Sequence, residues 1–117
     1  MSIGPEPDAA MTVVDITTGP GAGAGEWLVS VRGEVDVATS PRLRNELVAL
    51  MDQDARSIVL DLGGMTFIDS SGLGVLVGAL KRLREHEGES IVLRGMQDPV
   101  RRVFEITGLT ELFTIES

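Results

Sequence analysis

Hydrophobic positions along this chain change period several times, and each change marks an element. Residues 11–16, MTVVDI, are apolar and β-branched enough to form a first strand. In EWLVSVR, residues 26–32, Trp27, Val29 and Val31 recur at every second position, the period of a half-buried strand that would pair antiparallel with the first. Between them GPGAGAG, residues 19–25, places glycine at every other position and predicts a connection without regular structure. A phosphate-binding loop would need a Lys-Ser/Thr pair after it, and none follows.

From Thr39 onward the period becomes helical. Thr39-Ser40-Pro41 offers hydroxyls to orphan amides and a proline pre-set for the first helical position. Leu43, Leu47, Leu50 and Met51 then form one buried stripe. SIVLDL, residues 57–62, is a nearly continuous apolar run, as expected of a strand buried on both faces. FIDSSGLGVLVGAL, residues 67–80, opens a second helix that should reach about His86, with Leu73, Leu76, Val77, Leu80 and Leu83 on its core side. SIVLRG, residues 90–95, is another buried strand. Asp98-Pro99 begins a third helix, with Val100, Val103 and Phe104 inward and Gly108 as its stop. Residues 112–115 suffice for a short last strand.

The order is β-β-α-β-α-β-α-β, without internal repeat. It predicts an α/β fold with a mixed β-sheet: a first antiparallel hairpin, then parallel strands with helices packed against them. Residues 1–10 are expected to be a flexible tail and residues 11–117 a single domain. In such sheets function gathers where strands end and helices begin. The Asp69-Ser70-Ser71 junction lies there.

Composition narrows the options. A chain of 117 residues can bury a core without staples, and the absence of cysteine fits a reducing compartment and excludes thiolate metal sites. Net charge is −8, the opposite of the footprint of a nucleic-acid binder. Lys81 is the only lysine, which leaves few adaptable cations for an anionic membrane surface. The longest uncharged apolar run, residues 70–80, is about half of the roughly 20 residues a membrane span needs. The N-terminus has neither the basic start nor the apolar run of a signal peptide, so a cytoplasmic location is expected. A protein partner fits better than nucleic acid or membrane, and no metal or cofactor is expected.

Four chemistries compete for the Asp69-Ser70-Ser71 junction. Serine hydrolysis needs a nearby base, and the only histidine, His86, lies a helix length away and reads as a solvated residue favouring the helix dipole. Gly72, Gly74 and Gly78 loosely resemble a dinucleotide fingerprint, but the third glycine is needed at Val77 and an acid is needed where Arg94 stands. A serine helix cap, worth around 1 kcal/mol, is a third reading. A phosphorylation switch is the fourth. The helix that follows has a second anomaly: Gly74, Val75, Gly78 and Ala79 leave its outward side small and uncharged, either packed under another element or open as a docking surface for a partner.

GEVDVATSPRLRNEL (residues 33–47), IVLDLGGMTFIDSSGLGVLVGAL (58–80) and VRRVFEITGLTELF (100–113) closely resemble anti-sigma factor antagonists, the bacterial STAS-domain proteins. The likeness covers nearly the whole chain from residue 11. It implies a single STAS domain, no enzyme activity, and partner switching. The unmodified protein would bind a serine-kinase anti-sigma factor and free a sigma factor. The kinase would then phosphorylate its captor, and a serine phosphatase would restore binding. By the same resemblance Ser70 is the phosphorylated residue, Asp36 is the family's loop acid, and Asp69, Ser71 and Gly72 complete the site. Many relatives carry a further helix after the last strand, whereas this sequence stops at Ser117, and the oligomeric state is left open. A phosphate at the helix start would be expected to meet free amides and a favourable dipole. Alternative functions are a STAS-like regulatory subunit on a membrane transporter and a small nucleotide-binding module.

Overall fold

In the computed structural model, which describes residues 14–116, the chain first folds back on itself as a hairpin. β1 (Val14–Pro20) pairs antiparallel with β2 (Glu26–Val35), setting Ile16 opposite Val31 and Thr18 opposite Val29. The expected tail, residues 1–10, and the first residues of the expected first strand, 11–13, lie outside the described residues.

Three crossovers follow. α1 (Ser40–Met51) leads to β3 (Ser57–Ile68), α2 (Ser70–Glu85) to β4 (Ser90–Arg94), and α3 (Asp98–Ile106) with a 3-10 turn (Leu109–Glu111) to β5 (Thr114–Glu116). The strands lie in the order β1-β2-β3-β4-β5, and every pair after the hairpin is parallel. Neighbouring parallel strands taken in chain order, each reached by a right-handed crossover, put their helices on one face of the sheet. The core forms between the layers: Val29, Val31, Ile58, Leu60, Leu62, Ile91 and Leu93 from the sheet meet Leu43, Leu47, Leu76, Leu83 and Phe104 from the helices. Each contributes about 1.5–3 kcal/mol on burial. Phe104 and Phe113 add an edge-to-face contact with ring centroids 6.1 Å apart.

The mixed α/β architecture is the one the periodicity predicts, but several boundaries move. Gly19 and Pro20 belong to β1, opposite Leu28 and Trp27, so only residues 21–25 form the connection. Proline fits there because β1 is an edge strand and the missing N–H takes nothing from the ladder. The turn is closed by Gly21 N–H donating to Glu26 O at 2.7 Å, and Gly25 takes φ +76°. β3 runs through Gly63-Gly64 to Ile68 instead of ending at Leu62. A Cβ at Gly64 would lie 2.7 Å from Arg32 Cγ, beside a register shift between Ser30 and Arg32, so glycine lets the strands stay paired past this irregularity. As a result β2 and β3 end level with each other, Val35 beside Ile68.

Candidate functional site

That level ending sets the site. Asp69 N–H donates to Val35 O at 3.1 Å, which ties the start of α2 to the end of β2. Asp69 is extended (φ −116°, ψ −171°) and caps the helix: its Oδ1 accepts Ser71 N–H at 2.9 Å and Gly72 N–H at 3.3 Å. Its carbonyl accepts from Leu73 N–H at 3.0 Å. The cap is therefore the aspartate and neither serine. Ser70 is exposed at the first helical position while Ser71 is half-buried. The same bonds correct the expectation of free amides for a phosphate, because those of Ser71 and Gly72 already serve Asp69.

Asp36 follows Val35 as Asp69 follows Ile68, so each acid leaves the end of one of two paired strands, which are spaced about 4.8 Å apart. Asp36 Oδ1 accepts N–H bonds from Ala38 at 2.9 Å and Thr39 at 3.0 Å, with the Thr39 hydroxyl 3.1 Å away. Asp36 N–H in turn donates to Thr39 Oγ1 at 2.9 Å. The Thr39 backbone amide is the main cause of a carboxyl held below its ordinary 3.8; desolvation opposes this, and the Thr39 hydroxyl and the Ala38 amide add to it. Asp36 thus shapes the β2–α1 turn and keeps its charge. Thr39, expected to cap α1 through its hydroxyl, makes no side-chain cap bond to that helix and serves this turn instead.

Gly72 is buried where α2 meets the strand ends: a Cβ there would lie 2.7 Å from both Ile68 Cγ1 and Val35 Cγ1. Gly74 and Gly78 are the opposite case, exposed with nothing within 4 Å of a built Cβ. Spaced by four residues from Ser70, they continue its face along α2. They line a groove between α1 and α2 whose walls include Leu47, Val48 and Met51, with Arg44, Lys81 and Arg82 among the flanking residues. Val75 is half-buried against the core. Ala79, expected on the outward face, is buried at 6% exposure, because α1 packs alongside α2 there.

His86 is exposed at the end of α2, its Nδ1 2.9 Å from Arg82 O, as the helix-end reading expects. Two residues the sequence did not single out stand at the site edge: Val37, 74% exposed, and Phe67, 46% exposed. Their signal is apolar character in a turn and on an outward strand position, which becomes visible only once the neighbouring elements are placed. Among the described residues no cluster of three metal-ligating side chains occurs, and no helix is long and apolar enough to cross a membrane.

Known proteins share this fold. The STAS domain profile matches residues 15–117. An anti-sigma-B factor antagonist from Listeria monocytogenes is 38% identical over 89 residues, covering 76% of this chain and 77% of that protein. One from Staphylococcus aureus is 40% identical over 87 residues, covering 74% and 80%. The crystal structure of an anti-sigma factor antagonist from Mycobacterium paratuberculosis superposes with a TM-score of 0.71 at 31% identity, covering 87% of this chain and 86% of that one. With a domain match across nearly its whole length and relatives of this identity and coverage, the chain belongs to the STAS-domain family of anti-sigma factor antagonists.

Proposed function

We propose that this antagonist works by partner switching, with Ser70 as the switch. In its unphosphorylated form it holds a serine-kinase anti-sigma factor and so frees a sigma factor. The kinase transfers the γ-phosphoryl group of ATP to Ser70 Oγ: the new O–P bond forms as the bond to ADP breaks, and the hydroxyl proton passes to a base on the kinase. The complex separates, and a serine phosphatase restores binding. The nucleotide chemistry belongs to the kinase, and the chain itself is a regulator in the cytoplasm.

The observation that carries this reading is the division of roles between Asp69 and Ser70. Asp69 provides the cap, so the exposed Ser70 hydroxyl is free to react without loss of the helix start. A phosphate adds a charge of about −1.5 to −2 next to Asp69, with Asp36 past the end of the paired strand β2. Because Asp69 already engages two of the first-turn amides, the fold neutralises little of that charge. The dianion must then be desolvated against the partner, and a loss of roughly 3 kcal/mol lowers affinity more than a hundredfold. The outward strip at Gly74 and Gly78, with Val75 beside it, supports docking along α2, since no other element of the described residues comes within 4 Å of where a Cβ would stand at either glycine.

The deciding experiment incubates the protein with a serine-kinase anti-sigma factor and ATP, followed by intact mass and peptide mapping. One phosphate on Ser70 is expected. No phosphate, or phosphate on Ser71, overturns the assignment.

A further inference from the structure

Among the described residues the exposed large apolar side chains are Val37, Phe67, Ile106 and Leu112. They divide between the two ends of the sheet. Ile106 ends α3, and Leu112 precedes β5, at the N-terminal end of that strand. Val37 and Phe67 lie at the C-terminal ends of β2 and β3, where Ser70 also stands: Phe67 precedes Ile68, and Val37 is two residues past Val35, the partner of Ile68. Phe67 is three residues from Ser70, which bounds their separation at about 11 Å.

The backbone at both positions is held in place. Val37 sits at the tip of the turn that Asp36 closes through the Ala38 and Thr39 amides. Phe67 is fixed on β3 by its pairing opposite Glu34 and by the neighbouring Thr66 hydroxyl, which donates to Gly33 O at 3.3 Å. Apolar groups carried on an already ordered backbone cost less conformational freedom when a partner covers them than groups on a mobile loop. An exposed valine and phenylalanine held in this way are suited to act as anchors.

We infer that Val37 and Phe67 are the apolar anchors on which the phosphoryl-donating kinase seats itself around Ser70. The inference rests on the reading of Ser70 as the acceptor. In-line transfer brings the donor phosphorus to within about 3–3.5 Å of the acceptor oxygen, so the kinase surface must lie directly over Ser70. A standard interface covers about 800 Å² on each partner, a patch of about 16 Å radius, and one centred on Ser70 extends past Phe67 and over the adjoining turn. A few buried apolar or aromatic side chains near the middle of such a patch carry most of the affinity.

The test uses the full chain and a purified serine-kinase anti-sigma factor with ATP or ADP. Wild type, Val37→Ser, Phe67→Ser and the control Ile106→Ser are compared by calorimetric affinity, by kcat/KM for phosphorylation, and by thermal melting. Val37→Ser and Phe67→Ser should each lower affinity and kcat/KM at least tenfold, equivalent to about 1.4 kcal/mol, while Ile106→Ser changes neither. Val37→Ser should melt with wild type because its side chain is largely in solvent; should Phe67→Ser melt lower, the decision rests on Val37→Ser and on Phe67→Leu, which keeps apolar bulk and should keep most of the affinity. Affinities within twofold of wild type for both serine variants overturn the inference, as does an equal loss in Ile106→Ser. A wild-type dimer that the serine variants dissolve, with kinase affinity unchanged, assigns the patch to a second copy and also overturns it. A wild-type chain that takes no phosphate removes the Ser70 reading itself, whereas phosphorylated wild type with indifferent variants removes only the anchors.

Discussion

A Cβ built on Gly72 would lie 2.7 Å from Val35 Cγ1, so the first turn of α2 rests directly on the end of β2. Ile68 Cγ1 on β3 is equally close, and neither is the mobile end of a long side chain. Gly72→Ala must therefore push apart the strand ends that position Asp36 and Asp69. Overpacking of this kind costs about 1–3 kcal/mol, against a helix-propensity gain of about 0.5–1 kcal/mol for alanine. The variant should melt several degrees lower than wild type. An unchanged melting temperature would mean that Val35 and Ile68 yield freely.

Asp69 separates capping from charge. Asp69→Ala removes the acceptor of the Ser71 and Gly72 amides and should destabilise the fold by about 1 kcal/mol. Asp69→Asn keeps an oxygen in the Oδ1 position and should stay close to wild type. Urea denaturation gives the comparison: a lower midpoint for alanine alone fits the cap, and identical midpoints for all three proteins would remove it.

Ser70 lies outside that cap, so its variants should leave the fold alone and change only recognition. Ser70→Ala is expected to melt as wild type, bind the kinase and accept no phosphate. Ser70→Asp should also fold normally and bind poorly, and Ser71→Ala should still be phosphorylated. Intact mass and calorimetry on the three variants check this, and a phosphate on Ser70→Ala contradicts it.

The order of elements was legible because periods of two and of roughly 3.6 depend only on which faces are buried. Glycine and proline in residues 19–25 read locally as breakers, yet Gly19 and Pro20 extend an edge strand whose outer N–H groups need no partner. The continuation of β3 through Gly63-Gly64 depends on the Arg32 side chain across the ladder, a long-range contact that leaves no local pattern. At the site, the Asp-Ser-Ser run marked the helix start, but three residues could have capped it. The extended backbone of Asp69 decides among them. Helical spacing alone puts Ala79 on the outward side, because it does not reveal that α1 lies alongside and buries it.

The Asp36 carboxyl has a folded-state pKa below its ordinary 3.8, so the unfolded state binds its proton more readily than the folded one. The resulting contribution to stability is present above the unfolded value and is lost as pH falls through the folded value. It is fully present at neutral pH. An NMR titration should place the Asp36 midpoint below 3.8, and a midpoint at or above that value would show that the Thr39 and Ala38 amides do not hold the charge. Asp36→Asn preserves an acceptor for the turn but not the charge, so melting should change little while docking or phosphorylation weakens. An unaltered affinity and phosphorylation rate would leave Asp36 with the turn alone.

Gly78 gives the sharpest contrast between fold and partner binding. It is exposed on α2, and a Cβ there would meet nothing within 4 Å. Replacing it by glutamate exchanges a poor helix former for a good one, a gain of up to about 1 kcal/mol at a solvent-facing position. Gly78→Glu should therefore melt at or above the wild-type temperature. The same change sets an anionic side chain in the groove along the face shared with Ser70 and Gly74. If the kinase docks there, its affinity should fall at least tenfold, which needs only about 1.4 kcal/mol. Arg82, which lines the groove, already has a carboxylate neighbour in Asp52 at 3.4 Å, whereas Lys81 is in no side-chain ion pair among the described residues. A new glutamate could draw Lys81 toward it and close the groove further. Higher stability with weaker binding places the partner on this face. Higher stability with unchanged binding moves the docking surface away from the groove, to the strand-end edge around Ser70.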